Sequence, residues 1–321
     1  MKKILFASTA LVASAGIAAA AEVDFSGAAG MGFGYDGSDW SAISFATLSV
    51  AMTGETDGGL SFGADFDITA GNGFDPDKAE DRQGIIDDAV VYIEGGFGKF
   101  SIGDVDNAVQ VVTGLGDLGF DGLGVDDLAE GLRGLSSANT LYEGTFGDFT
   151  GAISYDLGGT EDVAVGVKYA MGDYSIALGY GTYQAATASG QDAVFTDRQN
   201  ALSVQLGADI GDVSLAALYS QSSWSGAVAL TDSAGVVTNV ADSDGAKARQ
   251  LGVTAGYTMG AVTVTAAYTE ARITGAGALN GKTEAYGLGV SYDLGGGATL
   301  DGGVAEVGGT TVADLGINMS F

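Results

Sequence analysis

The sequence predicts an all-β fold, a sixteen-stranded antiparallel transmembrane β-barrel. Three observations support it. After residue 21 no run of about 18 apolar residues recurs, so the sequence contains no candidate transmembrane helix beyond that point. Segments of about ten residues instead alternate apolar side chains with small or polar ones, which is the period of a strand with one apolar face. Short Gly/Asp turns alternate with longer polar connections, as expected when antiparallel hairpins open to two ends of a barrel.

Composition excludes several classes of chemistry. The 321 residues include 55 Gly and one Pro but neither Cys nor His. Ser–His and Cys–His relays, thiolate or histidine metal sites and disulfides are therefore absent. A net charge of -29 disfavours nucleic acid as a partner and favours cations, whereas 46% hydrophobic residues are too many for a disordered acidic chain.

Residues 1–21 have the pattern of a secretory signal peptide. The chain starts with the basic Met1-Lys2-Lys3, continues with an apolar run rich in small residues, and reaches a small-x-small cleavage pattern at Ala19-Ala20-Ala21. We expect cleavage near Ala21, which leaves residues 22–321 as a single barrel domain. An N-terminal membrane anchor is the alternative interpretation, although the run is short for one.

Sixteen segments share the period-two alternation. In one of them, Val163 to Met171, the odd positions are Val, Tyr and Met, and the even positions are Ala, Gly and Lys. The interior of such a large barrel is too wide for small polar side chains to fill, so we expect it to be wet and the apolar face to contact lipid. The predicted strands are approximately 23–35, 42–53, 60–70, 87–95, 99–103, 139–146, 149–157, 163–171, 174–184, 199–209, 213–222, 248–258, 262–273, 282–293, 298–306 and 311–321.

Motifs at both ends of the mature chain resemble one family. The last strand alternates apolar residues from Ala313 to an aromatic carboxyl terminus at Phe321. The other motifs are Glu22-Val23, Ser26-Gly27, Asp39-Trp40, Phe62-Gly63-Ala64, Phe97-Gly98-Lys99, Gly103-Asp104, Tyr286-Gly287-Leu288-Gly289 and Ser291-Tyr292-Asp293-Leu294. Together with the last strand, they resemble those of the general-diffusion porins of alphaproteobacteria. The resemblance implies a trimeric sixteen-stranded channel in the bacterial outer membrane, with Phe321 as the membrane insertion signal.

The resemblance also assigns a role to the long connection 104–138. In porins similar to this chain the third loop folds inward and narrows the barrel. The equivalent loop here contains a single cation, Arg133, and an acidic set that would concentrate cations at a constriction. An acidic loop solvated outside the pore is the alternative interpretation. The candidate constriction residues are Asp104, Asp106, Asp117, Asp121, Asp126, Asp127 and Glu130.

Strand alternation adds charged residues on the predicted lumen wall. Similar porins set a basic cluster against the acidic loop, but few Lys or Arg are available here, so we expect a weak transverse field and a cation preference. Asp24, Glu143, Asp156, Asp301 and Asp314 share the predicted lumen parity. The principal candidates for lumen charges are Asp65, Asp67, Glu94, Lys99, Lys168 and Arg133.

The expected function is passive diffusion of small hydrophilic solutes and ions without catalysis or a cofactor. A substrate-specific channel, a non-transport outer-membrane barrel and a secreted calcium-binding β protein are the alternatives. Expected partners are outer-membrane lipid and lipopolysaccharide, further copies of the chain, and cations. Loop carboxylates could ligate a structural Ca²⁺, and a solvated acidic rim is the other interpretation of them. These candidate ligands are Asp75, Asp77, Glu80 and Asp81.

Overall fold

Sixteen antiparallel strands close into one barrel in the computed structural model of the protein, which confirms the predicted fold class. Every barrel strand pairs with two neighbours, so the main sheet has no open edge. The structure describes residues 22–72, 82–183, 193–194, 199–224, 227–231, 237–242, 245–275 and 280–321.

The described residues contain nineteen strands and two short helices, α1 (Ala108–Val112) and α2 (Asp127–Glu130). No helix in these ranges is long and apolar enough to cross a membrane. Three strands, β10 (Ala193–Val194), β13 (Ala227–Thr231) and β14 (Val237–Asp242), form a small separate sheet. The barrel strands are β1 (Glu22–Tyr35), β2 (Trp40–Glu55), β3 (Ser61–Asn72), β4 (Arg82–Gly95), β5 (Gly98–Gly103), β6 (Thr140–Phe146), β7 (Phe149–Tyr155), β8 (Val163–Met171), β9 (Tyr174–Tyr183), β11 (Gln199–Ile210), β12 (Val213–Trp224), β15 (Ala246–Met259), β16 (Val262–Thr274), β17 (Gly281–Gly295), β18 (Ala298–Val307) and β19 (Thr310–Ser320).

The first and last strands close the barrel. β1 pairs with β19 from Ala28 opposite Ser320 to Tyr35 opposite Ala313. The terminal residue extends this seam, because the Phe321 N–H donates to the Gly27 carbonyl at 2.8 Å and the Gly27 N–H donates to the Phe321 carbonyl at 3.2 Å. Closure is what allows a sheet to lie in lipid, where an unpaired backbone group has no water to bond.

Side chains divide by strand parity as the sequence predicts. On β8, Val165 is 43% exposed on the outward face, whereas Ala164 is 1% exposed and packs against a segment inside the barrel. On β1 the outward Phe33 is 60% exposed, and the inward Gly32 lies against Phe120 of the same interior segment. The large apolar side chains therefore face away from the lumen.

The short turns use glycine where the backbone demands it. Gly172 joins β8 to β9 with φ of 59°, and Gly211 joins β11 to β12 with φ of 60°. Tight hairpins need positive φ at such positions, which glycine adopts without steric cost.

The strand predictions fail in two places. The sequence predicts loops for the connections 185–198 and 223–247, but β10, β13 and β14 lie in them. These strands have only 2, 5 and 6 residues, which is short of the segments of about ten residues that predict barrel strands. β4 begins at Arg82 rather than at residue 87. A bulge in β4 explains the second error. Asp88 and Ala89 lie between Asp87 and Val90, which are the β4 residues that pair with β3 on either side of the bulge, and Asp88 has φ of 55°. Extra residues in a strand interrupt the period of two.

Candidate functional site: the inserted segment and the lumen

Residues 104–138, which we call the inserted segment, turn into the barrel at the end of β5. Gly103 has φ of 134°, and a Cβ on it would lie 2.1 Å from the carbonyl oxygen of Ala89. That carbonyl belongs to the β4 bulge and accepts a 3.0 Å hydrogen bond from the Asp104 N–H. The bulge and the glycine together direct the chain off the wall.

The first anchor of the inserted segment is α1. Asn107 caps this helix, with its side-chain oxygen accepting from the Val109 N–H at 2.9 Å. The Ala108 N–H donates to Ser154 Oγ on β7 at 2.9 Å. Val109 and Val112 are buried together with the inward alanines of β7, β8 and β9. Burial of apolar surface holds α1 on this side of the lumen.

The second anchor lies on the β19–β1 seam. Asp314 Oδ2 accepts hydrogen bonds from the N–H groups of Phe120 at 2.7 Å and Asp121 at 3.0 Å, and Asn318 Nδ2 donates to the Phe120 carbonyl at 3.1 Å. The Phe120 ring stacks on Phe45 of β2, with centroids 6.1 Å apart. Residues 119–121 therefore contact a different part of the barrel wall from the part that α1 contacts.

Amide side chains anchor the segment at two further points. Gln205 on β11 accepts from the Gly114 N–H at 2.6 Å and donates to its carbonyl at 2.8 Å. Gln250 on β15 accepts from the Leu132 N–H at 2.8 Å. The inserted segment therefore contacts inward-facing residues of the wall from β7 around to β1. Because β7 and β1 lie on different sides of the barrel, the segment crosses the lumen and narrows it. Neither glutamine is among the residues predicted from the sequence, although each is a long amide among the small inward residues of its strand.

The predicted acidic constriction residues fall into three groups. Asp121 is half-buried, with its N–H bonded to Asp314, and Asp126 is only 6% exposed. Glu130 forms a salt bridge with Arg133 and also accepts from the Leu115 N–H. Four carboxylates are exposed, and they are those of Asp104, Asp106, Asp117 and Asp127.

Asp126 is held in its neutral form by its surroundings. Burial raises the pKa of its carboxyl from 3.8 to about 8, and a hydrogen bond with Asp117 and the nearby charges of Asp117 and Asp127 act in the same direction. A buried carboxyl beside other carboxylates keeps its proton at neutral pH. Asp126 therefore contributes little negative charge to the lumen at pH 7.

The wall cations have different surroundings. Lys99 on β5 lies opposite Glu94 on one side and Glu143 on the other, and its Nζ is 4.1 Å from the Tyr92 ring centroid. Its charge is thus offset locally. Lys168 on β8 lies opposite the neutral Thr150 and Ala177. Arg133 belongs to the inserted segment rather than to the wall and is paired with Glu130.

The predicted wall acids likewise divide by role. Asp65 and Asp67 have the inward parity on β3, and the register opposes Asp67 to Asp87 of β4. Three of the other predicted acids are almost buried and bind backbone or side-chain groups instead of facing water. Asp156 accepts from Asn139 Nδ2 at 3.0 Å, Asp301 from Asn318 Nδ2 at 3.1 Å, and Asp314 from the inserted segment.

The predicted calcium ligands Asp75, Asp77, Glu80 and Asp81 lie outside the described residues. Within the described ranges, no group of three or more acidic side chains is arranged to hold a metal ion.

Known proteins share this architecture. The solved structure titled "Structure of porin refined at 1.8 angstroms resolution" is 27% identical, has a TM-score of 0.69, and matches over 94% of this chain and 100% of that one. OmpT, an outer membrane protein of Vibrio cholerae solved in a trimer form, is 15% identical with a TM-score of 0.69, over 94% of this chain and 100% of its own, and so shares the fold alone.

Sequence comparison agrees with the structural match. A porin of Rhodobacter capsulatus is 31% identical over an alignment 327 positions long, which covers 94% of this chain and 100% of that protein. The sequence profile described as "Gram-negative porin" matches residues 7–311. The chain therefore belongs to the Gram-negative porin family.

Proposed function

We propose that this outer-membrane porin passes small hydrophilic solutes and ions passively and prefers cations to anions. One observation carries the proposal, namely an inserted segment that is anchored on opposite sides of the barrel interior and has four exposed carboxylates. Fixed charge at a constriction raises the local concentration of the opposite ion and excludes the like one. The proposed transport requires no cofactor and no covalent step.

Local charge balance supports cation preference. Of the lumen cations named above, Arg133 is paired with Glu130, and Lys99 lies between two glutamates. Lys168 alone among these three has neutral cross-strand neighbours. The acidic side includes Asp104 and Asp106, which are exposed at the start of the inserted segment. Among the charged residues named here, the exposed carboxylates of the inserted segment therefore outnumber the cations that no acidic neighbour offsets.

Assembly and processing form part of the same proposal. The trimer form of the Vibrio cholerae structural relative supports a homotrimer of this chain. Outer-membrane lipid and lipopolysaccharide would surround the outward apolar faces. Removal of residues 1–21 would expose Glu22, which is the first residue of β1. A calcium ion bound by Asp75, Asp77, Glu80 and Asp81 remains a prediction from the sequence.

The test is a reversal potential. The purified protein, inserted in a planar bilayer with a tenfold KCl gradient, should show the sign of a cation-selective pore. The double variant Asp104→Asn/Asp106→Asn should move the potential toward zero. Glu55→Gln, which removes an exposed carboxylate at the last residue of β2, should leave it unchanged. An anion-selective potential in the parent would refute the assignment, and conductance that saturates with a solute would favour a substrate-specific channel.

A further inference from the structure

A cluster of cations lies on the outward face of β15, β16 and β17, close to the ends of these strands that the long connections join. It contains Lys247, Arg249, Arg272 and Lys282, which are four of the twelve Lys and Arg in the chain. Their parity is outward, because Arg249 shares a face with Leu251, which is 42% exposed, and the intervening Gln250 binds the inserted segment. So strong a concentration of positive charge is unexpected on an acidic protein.

The register brings these cations side by side. Arg249 lies directly opposite Arg272, and Arg272 lies opposite Lys282 on the next strand. Like charges that face each other across strands are destabilising unless an anion offsets them. Three adjacent strands therefore present one row of positive charge.

Acidic neighbours neutralise only part of the cluster. Lys282 Nζ is 2.8 Å from Glu284 and 3.1 Å from Glu270, and Arg272 Nε is 3.6 Å from Glu270. Lys247 and Arg249 are exposed, and neither forms a salt bridge with any residue that the structure describes. The acidic side chains that the structure describes thus leave two cations of the cluster available to an anion.

An apolar groove of about 830 Å³ lies on the same outward face, farther from the long-connection ends of the strands than the cluster is. The outward Ala217, Ala255 and Ala266 line it, with larger apolar side chains on neighbouring positions. Tyr268 joins the two features, because it lines the groove and its hydroxyl donates to Glu284 of the cluster at 2.5 Å. The groove reaches Tyr174 at the short-turn end of β9.

We propose that the cluster and the groove bind one anionic lipid of the outer leaflet. Its phosphorylated headgroup would contact Lys247, Arg249 and Arg272, and an acyl chain would lie in the groove. Arginine forms strong charge-assisted hydrogen bonds with phosphate, and the alanine floor admits a chain without displacing large side chains. The first apolar groove position on β15, Val253, is four residues from Arg249, or about 13 Å along a strand.

Charge favours this occupant over others. Free phosphate has no group to fill the groove, whereas a lipid supplies both a phosphate for the cations and an acyl chain for the apolar groove. The proposal rests on the outer-membrane placement in the proposed function. It does not depend on ion selectivity, so the two can fail separately.

The test titrates the folded protein in detergent with diphosphoryl lipid A and follows bound lipid by native mass spectrometry. Inorganic phosphate and dephosphorylated lipid A serve as the separate headgroup and acyl arms. We expect Lys247→Gln/Arg249→Gln to bind lipid A about thirty-fold more weakly, which is about 2 kcal/mol at 1.4 kcal/mol per factor of ten. Ala217→Phe, which fills the groove, should also weaken binding.

Two controls separate this site from the pore. Lys168→Gln removes a lumen cation and should leave lipid binding unchanged, and the Lys247→Gln/Arg249→Gln variant should keep the parental conductance. Equal lipid affinity of that double variant and the parent would overturn the proposal, as would its dissociation to monomers without lipid loss, which would identify the face as a contact between copies. A parent that binds lipid A but does not conduct would refute only the proposed transport.

Discussion

Replacing Gly166 with alanine tests whether α1 is docked on the wall. A Cβ at this inward position of β8 would lie 2.2 Å from the carbonyl oxygen of Ala108 and 2.7 Å from Val112 Cγ2. Relieving the backbone contact requires a shift of about 1 Å, and overpacking of this kind costs about 1–3 kcal/mol. Burial of Val109 and Val112 stabilises docking by about 1.5–3 kcal/mol for each side chain. Docking therefore outweighs the clash, and we expect the segment to shift but remain inserted.

Gly151→Ala is the matched control for Gly166→Ala. Gly151 lies on the outward parity of the neighbouring β7, and a Cβ there meets nothing within 4 Å. The general effect of replacing glycine by alanine in a strand is common to both variants. Urea unfolding in lipid vesicles should show Gly166→Ala less stable than Gly151→Ala by about 1–3 kcal/mol. Equal free energies of unfolding would refute the docking of α1 on β8.

The neutral Asp126 predicts a pH dependence: between pH 3.8 and about 8 only the folded state keeps this proton, so the free energy of unfolding should fall as pH rises across that interval and level off above it. In urea titrations at several pH values, Asp126→Asn should reduce the dependence of the free energy of unfolding on pH over this interval. A pH dependence equal to that of the parent would contradict the neutral state of Asp126. Deleting Phe321 removes two backbone hydrogen bonds at the barrel seam and should destabilise the protein by about 1–3 kcal/mol, more than Phe321→Ala does. Equal unfolding curves for the deletion and for Phe321→Ala would show that these two hydrogen bonds do not stabilise the seam. Asp314→Ala removes the acceptor of two N–H groups of the inserted segment, so protease sites near Phe120 should become accessible, whereas Asp24→Ala on the neighbouring strand should leave them protected.

Strand number and orientation could be predicted because each strand in lipid alternates apolar outward side chains with small or polar inward ones, and this alternation is visible in the local sequence. The apolar Val165 is exposed on the outward face, whereas the small Ala164 is buried on the inward face, and most strands repeat this division. The rule fails where a bulge such as Asp88-Ala89 interrupts the alternation, and in the segments that form β10, β13 and β14 away from the barrel wall.

The acidic constriction was predicted only as a set of residue types in one connection. Asp117 and Asp126 look equivalent in the sequence, yet one is exposed and the other is buried and neutral. Glu130 was expected to add negative charge, but Arg133 three residues later pairs with it. Gln205 and Gln250 differ from their strands only as long amides among small inward residues, and nothing in the local sequence indicates that they bind the inserted segment.

The sequence by itself determined the sixteen-stranded barrel, its outward apolar face and the long acidic connection, because alternation and turn chemistry act between near neighbours. Only the tertiary structure decided which carboxylates face the water of the lumen. Asp314 binds the N–H of Phe120 across 194 residues, and no local pattern encodes so distant a contact. The outward row of Arg249, Arg272 and Lys282 likewise exists only once three strands are in register.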